Sequence, residues 1–239
     1  MFKKVSLKIC EKADFFSAMD SGFIPDNPIH FHLKYIQDVF LLSYLYSRLE
    51  TFHSRQNVTI GEIGASHSRV LPMLKKYSEN LFAIDVYDRS IGGGSTKKPE
   101  TDEYQLIECL VGKSRGLIKD DYFDILCSVS VVENIPPEIL VDFILDHYRI
   151  MKPGGYAVHL VDFYCNDDGA WERGITPQLF DALKHIDSGF KADIEDWSFK
   201  TKYCTNDDLT MYKWNQSFPA IATTRESYQC CSFVFELYK

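Results

Sequence analysis

Apolar and polar positions fall into short apolar runs separated by amphipathic stretches. Between residues 31 and 54, apolar side chains recur at helical spacing (Ile36, Val39, Phe40, Leu42, Leu45, Leu49). This predicts one long helix that packs on a sheet or covers a ligand mouth. Val58–Ile63 predicts a buried strand, Ser68–Tyr77 a helix, Leu81–Val86 a second strand and Tyr104–Val111 a third. Phe123–Val129 is an apolar run of strand length, Pro137–Ile150 returns to helical spacing, and Tyr156–Phe163 follows the turn Lys152-Pro153-Gly154-Gly155. After residue 164 the pattern weakens to a helix at Pro177–Ile186 and a final strand at Ser232–Tyr238. Strands alternating with helices predict an α/β fold: a mostly parallel sheet covered on both faces, with an antiparallel final strand. Residues 1–55 read as an N-terminal helical cap and 56–239 as the main domain. The polar run Gly92–Pro99 reads as a loop.

The segment Ile60-Gly61-Glu62-Ile63-Gly64-Ala65-Ser66-His67-Ser68 combines a strand, an acid, a glycine turn and a helix start. Open α/β sheets bind ligands at the carboxyl ends of their strands, and a glycine there lets the backbone turn and approach the ligand. Charge separates the two candidate ligands. A dinucleotide places its pyrophosphate at the helix start, where Glu62 would repel it, and the later glycines of G-x-G-x-x-G are missing. S-adenosylmethionine instead offers an ammonium to Glu62 and a carboxylate to the free amides of the helix start. Asp85 ends the next strand, 23 residues after Glu62. Roughly 20 residues is the separation at which such an acid reaches ribose hydroxyls. Asp88 is a nearby competitor for that role.

Glu62-x-Gly64-x-Ser66-x-Ser68 resembles motif I of class I S-adenosylmethionine-dependent methyltransferases, E/D-x-G-x-G-x-G, with serines in place of the later glycines. Tyr122-Phe123-Asp124-Ile125-Leu126 resembles that family's FD strand, and Val131–Pro136 its continuation. Ile150-Met151-Lys152-Pro153-Gly154-Gly155 resembles its LKPGG turn. The resemblance spans about residues 58 to 163 and implies a Rossmann-like methyltransferase fold. It implies cofactor contacts from Glu62, Gly64, Ala65, Ser66, Asp85, Val86, Val111 and Ser128, with Asp124 structural. The family usually places an acid near the adenine just after the third strand; this chain has Val111-Gly112 there.

Methyl transfer is an in-line displacement in which positioning and desolvation carry much of the catalysis, and an oxygen acceptor benefits from a general base. His159 and Asp162 lie on the strand after the KPGG turn, three residues apart and therefore on opposite faces of a regular strand. An H-x-x-D stretch at this place resembles one found in some methyltransferases of surface-polysaccharide biosynthesis. Either residue is a candidate base for a sugar hydroxyl; the structural alternative is a buried histidine and a strand-end aspartate. His147 reads as structural, and His67 borders the cofactor loop. Asn134-Ile135-Pro136-Pro137 is a proline-led helix start, not the NPPY motif of amino-group methyltransferases.

Composition narrows the partners. The net charge is −8 and the basic residues are scattered, which argues against nucleic acid. The start lacks the apolar core of a signal peptide, and no run is long enough to span a bilayer, so a cytoplasmic protein without a membrane partner is expected. Seven cysteines without a CxxC pair predict reduced core thiols. No metal is expected, although Asp162, Asp167 and Asp168 are the oxygen ligands a hard cation would favour. Aromatic residues make up 14% of the chain, and Trp171, Trp197, Trp214, Asn215, Gln216 and Phe218 mark the expected substrate-facing region. The expected enzyme methylates a small molecule or glycan, with a homodimer compatible. The alternatives are an S-adenosylmethionine-binding protein without chemistry and an NAD-dependent enzyme.

Overall fold

The computed structural model describes residues 2–10, 17–18, 33–52, 57–88, 96–165, 176–186 and 229–239. The tryptophan-rich region, Asp167, Asp168 and Gly92 to Ser95 of the polar loop lie outside the described residues.

The strands are β1 (Lys4–Ile9), β2 (Thr59–Ile63), β3 (Asn80–Asp85), β4 (Gln105–Glu108), β5 (Phe123–Val129), β6 (Met151–Cys165) and β7 (Gln229–Tyr238). They form one seven-stranded sheet in the order β1-β7-β6-β5-β2-β3-β4. The five strands from β4 to β6 run parallel, and β7 pairs antiparallel with β6 and with β1. The parallel core matches the sequence-based expectation. The first 55 residues do not: besides a helix they supply β1, which joins the sheet edge beside β7. Its signal is a short alternation, Val5-Leu7-Ile9 against Lys4-Ser6-Lys8, with the lysines suited to an edge strand.

Helices cover both faces. α1 (Leu33–Leu49) lies on one face and sinks Val39, Phe40, Leu42, Leu45, Tyr46 and Leu49 into a core with Ile60, Ala83, Ile125, Val158 and Leu160. Burying such a side chain contributes about 1.5–3 kcal/mol. The helix stops where the Thr51 hydroxyl donates to the Arg48 carbonyl at 2.7 Å. α2 is only Leu71–Leu74, much shorter than the predicted Ser68–Tyr77. On the other face, α3 (Pro137–Ile150) and α4 (Thr176–Ile186) enclose Phe143, Ile144, Leu179 and Leu183 against Phe123, Leu126, Ala157 and Phe235. α3 begins on two consecutive prolines, as its sequence implies.

Two of the resembling motifs meet at the amino ends of the parallel strands. Asp124 Oδ2 accepts the Thr59 N–H at 2.7 Å and the Lys152 ammonium at 2.6 Å, joining β2, β5 and the KPGG turn. The turn is looped out of the ladder between the pairs Phe123–Met151 and Ile125–Tyr156, with Gly154 at φ 82°. Cys10, Cys109 and Cys127 are buried. Among the described residues, no helix is long and apolar enough to cross a membrane.

Candidate functional site

Because β2, β3, β5 and β6 are parallel, their carboxyl ends share one edge of the sheet, opposite Asp124. Glu62 lies near the end of β2 and Gly64 follows that strand, Asp85 ends β3, Ser130 follows β5, and Asp162 lies near the end of β6.

Glu62 is 6% exposed, and its Oε2 accepts a hydrogen bond from the Ser68 hydroxyl. Burial pushes its carboxyl up to about 7; the Ser68 bond and Arg69 pull the other way, while Asp38 adds to the rise. Ser68 Oγ in turn accepts the N–H of Leu71 at 2.8 Å and of Val70 at 3.2 Å. This explains serine at a position where the related motif has glycine: the hydroxyl ties the acid to the start of α2. It also corrects an expectation, since those amides are occupied and do not await a ligand's carboxylate. Gly64 is exposed and has φ 70°, and a Cβ there would lie 2.3 Å from Val131 Cγ2, so only glycine fits. Ser66 is half-buried beside it, whereas Ala65 is packed into the core under α1.

Asp85 Oδ1 accepts the Val86 N–H at 2.7 Å, while Oδ2 is buried without a partner. Burial raises this carboxyl, against the N–H bonds of Val86 and Tyr87. Val86 is half-buried at the same edge.

α1 flanks this edge with two adjacent polar residues. Asp38 makes a two-pronged ion pair with Arg69, at 2.6 and 2.9 Å. Gln37, fully buried, donates to Asp162 Oδ1 at 2.6 Å and to Ser232 Oγ at 2.7 Å. The Ser130 hydroxyl lies 2.8 Å from Gln37 Oε1 and 2.7 Å from Asp162 Oδ1. Ser130 has φ 54°, one of three non-glycine residues in the left-handed region among those described. Such residues gather at functional sites. Sequence patterns gave no sign of Gln37, Ser130, Asp38 or Arg69, because single polar residues on a helix or at a strand end carry no periodicity.

Three predicted site residues turn away. His159 is fully buried on the α3 side, its Nδ1 2.7 Å from Ser128 Oγ, and its ring is 4.9 Å from that of His147. Burial, reinforced by His147, drives its pKa well below the usual histidine value. A neutral ring sealed in the core is not poised to take a substrate proton. Ser128 is the hydroxyl that pairs with this ring, so its side chain does not face the edge where the cofactor was expected. Val111 is 1% exposed in the core with Ile118 and Phe143. The following Gly112 donates its N–H to Asp146 Oδ2 at 2.8 Å. Burial alone would raise the Asp146 carboxyl, but bonds from Ser114, Gly112 and Arg149 outweigh it and hold it low. That network ties the 112–120 loop to α3 through Asp146 and Arg149. Among the described residues, no three His, Cys, Asp or Glu side chains gather as metal ligands.

The unpartnered Asp85 Oδ2, the buried Glu62 carboxyl and the exposed left-handed Gly64 are the groups an adenosyl amino acid would satisfy. Residues 61–159 match the sequence model of a methyltransferase domain. No curated protein matches the chain. Among solved structures, an S-adenosylmethionine-dependent methyltransferase from Archaeoglobus fulgidus superposes with a TM-score of 0.50 at 15% identity, covering 82% of this chain and 93% of that one. Phosphoethanolamine N-methyltransferase 2 of Haemonchus contortus, crystallised with phosphomonomethylethanolamine and S-adenosylhomocysteine, gives 0.50 at 12% identity over 94% of this chain and 60% of that one. The fold is the Rossmann-like methyltransferase fold, and the domain match supports an S-adenosylmethionine-dependent methyltransferase.

Proposed function

We propose that this chain uses S-adenosylmethionine to methylate a hydroxyl of a small molecule or sugar. The cofactor part rests on one observation above all: Asp85 Oδ2 is a buried acceptor with no partner, at the strand end where a nucleoside's ribose would lie. Glu62 would hold the ammonium of the amino-acid moiety, and Gly64 would let the backbone approach it. S-adenosylmethionine, when bound, supplies a methyl group activated by its sulfonium. Residues of the chain orient the acceptor, exclude water and receive its proton.

Asp162 is the residue we assign to the proton. It is 3% exposed at the carboxyl end of β6, on the face covered by α1, and Gln37 and Ser130 aim it through Oδ1. An oriented carboxylate near the strand ends suits an oxygen acceptor, whose proton must leave as the bond to carbon forms. His159 is left out of this assignment because its ring is sealed in the core. The test is transfer of isotope-labelled methyl from S-adenosylmethionine to a panel of sugar nucleotides and small hydroxylated molecules, with amine acceptors alongside. Label in an O-methyl ether supports the proposal; label only in amine products refutes the choice of acceptor atom.

A further inference from the structure

A carboxylate that grips a vicinal diol commonly offers one oxygen to each hydroxyl. Asp85 already has one oxygen engaged, because Oδ1 accepts the Val86 N–H, which leaves the partnerless Oδ2 to a ligand. Tyr87 itself lies in the left-handed region at φ 54°, a conformation that bulky side chains seldom adopt. The Tyr87 side chain is buried at 5% exposure, yet its hydroxyl has no hydrogen-bond partner, and neither does Asp85 Oδ2. The two groups lie close enough that Asp85 adds to the effect of burial in pushing the phenol up to about 12.

Buried polar groups are nearly always paired. Two orphans issuing from one strained turn, at the carboxyl end of β3, call for a ligand bearing two adjacent polar groups. We infer that Tyr87 is a ribose-binding residue: Asp85 Oδ2 takes one hydroxyl of the nucleoside diol and the Tyr87 hydroxyl takes the other. A tyrosine that merely filled the core could be phenylalanine, so the hydroxyl is the diagnostic atom. The inference rests on the adenosyl cofactor proposed above.

The test is calorimetric titration of the full chain with S-adenosylhomocysteine and with its 2′-deoxy and 3′-deoxy analogues. The wild type is expected to lose about ten-fold in affinity with each analogue, about 1.4 kcal/mol apiece. Tyr87→Phe, which keeps the ring, is expected to lose about ten-fold for S-adenosylhomocysteine. It should then be indifferent to removal of one of the two ribose hydroxyls, because that pair is already broken. The inference is overturned if Tyr87→Phe binds as tightly as the wild type. Full losses with both analogues in the variant overturn it too. The analogue series on the wild type does not depend on how the variant folds: indifference to either missing hydroxyl is also fatal. A wild type that binds no adenosyl ligand refutes the underlying cofactor proposal, an outcome distinct from all of these.

Discussion

Glu62→Gln keeps the shape of the side chain and removes its ability to carry charge. The carboxyl is buried and pushed up to about 7, so at neutral pH it ionises with little cost, on the order of 0.4 kcal/mol for a half-titrated group. A hydrogen bond to a charged group contributes ~1.5–3 kcal/mol, so Glu62→Gln is expected to weaken S-adenosylhomocysteine binding by about 10- to 100-fold. The pH dependence follows from the raised value. Below pH ~7 the proton must leave before the ammonium can pair, so wild-type affinity falls by up to about ten-fold per pH unit. Above pH ~8 the ligand's own α-amino group starts to lose its proton, giving a bell-shaped profile. Calorimetry in buffers of different ionisation enthalpy reads the proton directly: at pH 6 the wild type should release close to one proton per ligand, and Glu62→Gln close to none. The ligand-free fold behaves in the opposite sense. A raised carboxyl contributes stability that is present below its usual value near 4.5 and lost as pH rises through about 7. Glu62→Gln should therefore stabilise the free protein at pH 8, by up to ~3 kcal/mol. Wild-type affinity that stays flat from pH 5.5 to 7, or a Glu62→Gln variant that binds within two-fold of wild type, would refute Glu62 as the partner of the ligand's ammonium.

Asp124→Asn leaves the Lys152 ammonium without its carboxylate and weakens the bond to the Thr59 N–H. It should lower the urea unfolding free energy by about 1–3 kcal/mol with the slope unchanged; a change below ~0.5 kcal/mol would mark Asp124 as dispensable. Leu45→Ala opens a cavity under α1, where Leu45 is fully buried, and is expected to cost about 2–5 kcal/mol in the same assay. His147 and His159 are buried neutral, His147 with its value lowered to about 4. The stability they contribute is complete above pH 6.5 and is lost as pH falls toward 4, at about 1.4 kcal/mol per pH unit for each ring; urea midpoints that do not fall over that window would contradict the burial of these rings. Once an acceptor is known, Asp162→Asn should cut turnover by roughly 10²- to 10⁴-fold while cofactor affinity stays within a few-fold. A loss confined to cofactor binding would rule out Asp162 as the base.

The parallel core was legible because short, largely apolar runs of strand length alternate with helical spacing, and Glu62 and Asp85 were legible because a charged residue at or near the end of such a run stands out. The edge strand β1 was not, since three apolar residues alternating with lysine and serine are a faint signal. Ser128 and His159 fall on the neighbouring strands β5 and β6, which are buried on both faces, and there alternation cannot say which face opens to a ligand. Val111 follows β4 as the related pattern suggests, but the Gly112–Asp146 bond turns the chain and carries its side chain into the core. Ser68 looked like a flaw in the glycine motif; its hydroxyl proves to hold Glu62 and the first amides of α2 together. Gln37 and Ser130 became visible only in three dimensions, since they lie 125 and 32 residues from the carboxylate they orient.

An adenosyl ligand at the Glu62–Asp85 edge is what the proposed function requires. Its most direct measurement is a titration of the wild-type chain, at protein above ~100 μM, with S-adenosylhomocysteine and, separately, with NAD. Saturable binding of S-adenosylhomocysteine and none of NAD is the expected result; NAD binding, or no binding of S-adenosylhomocysteine at that concentration, would contradict it.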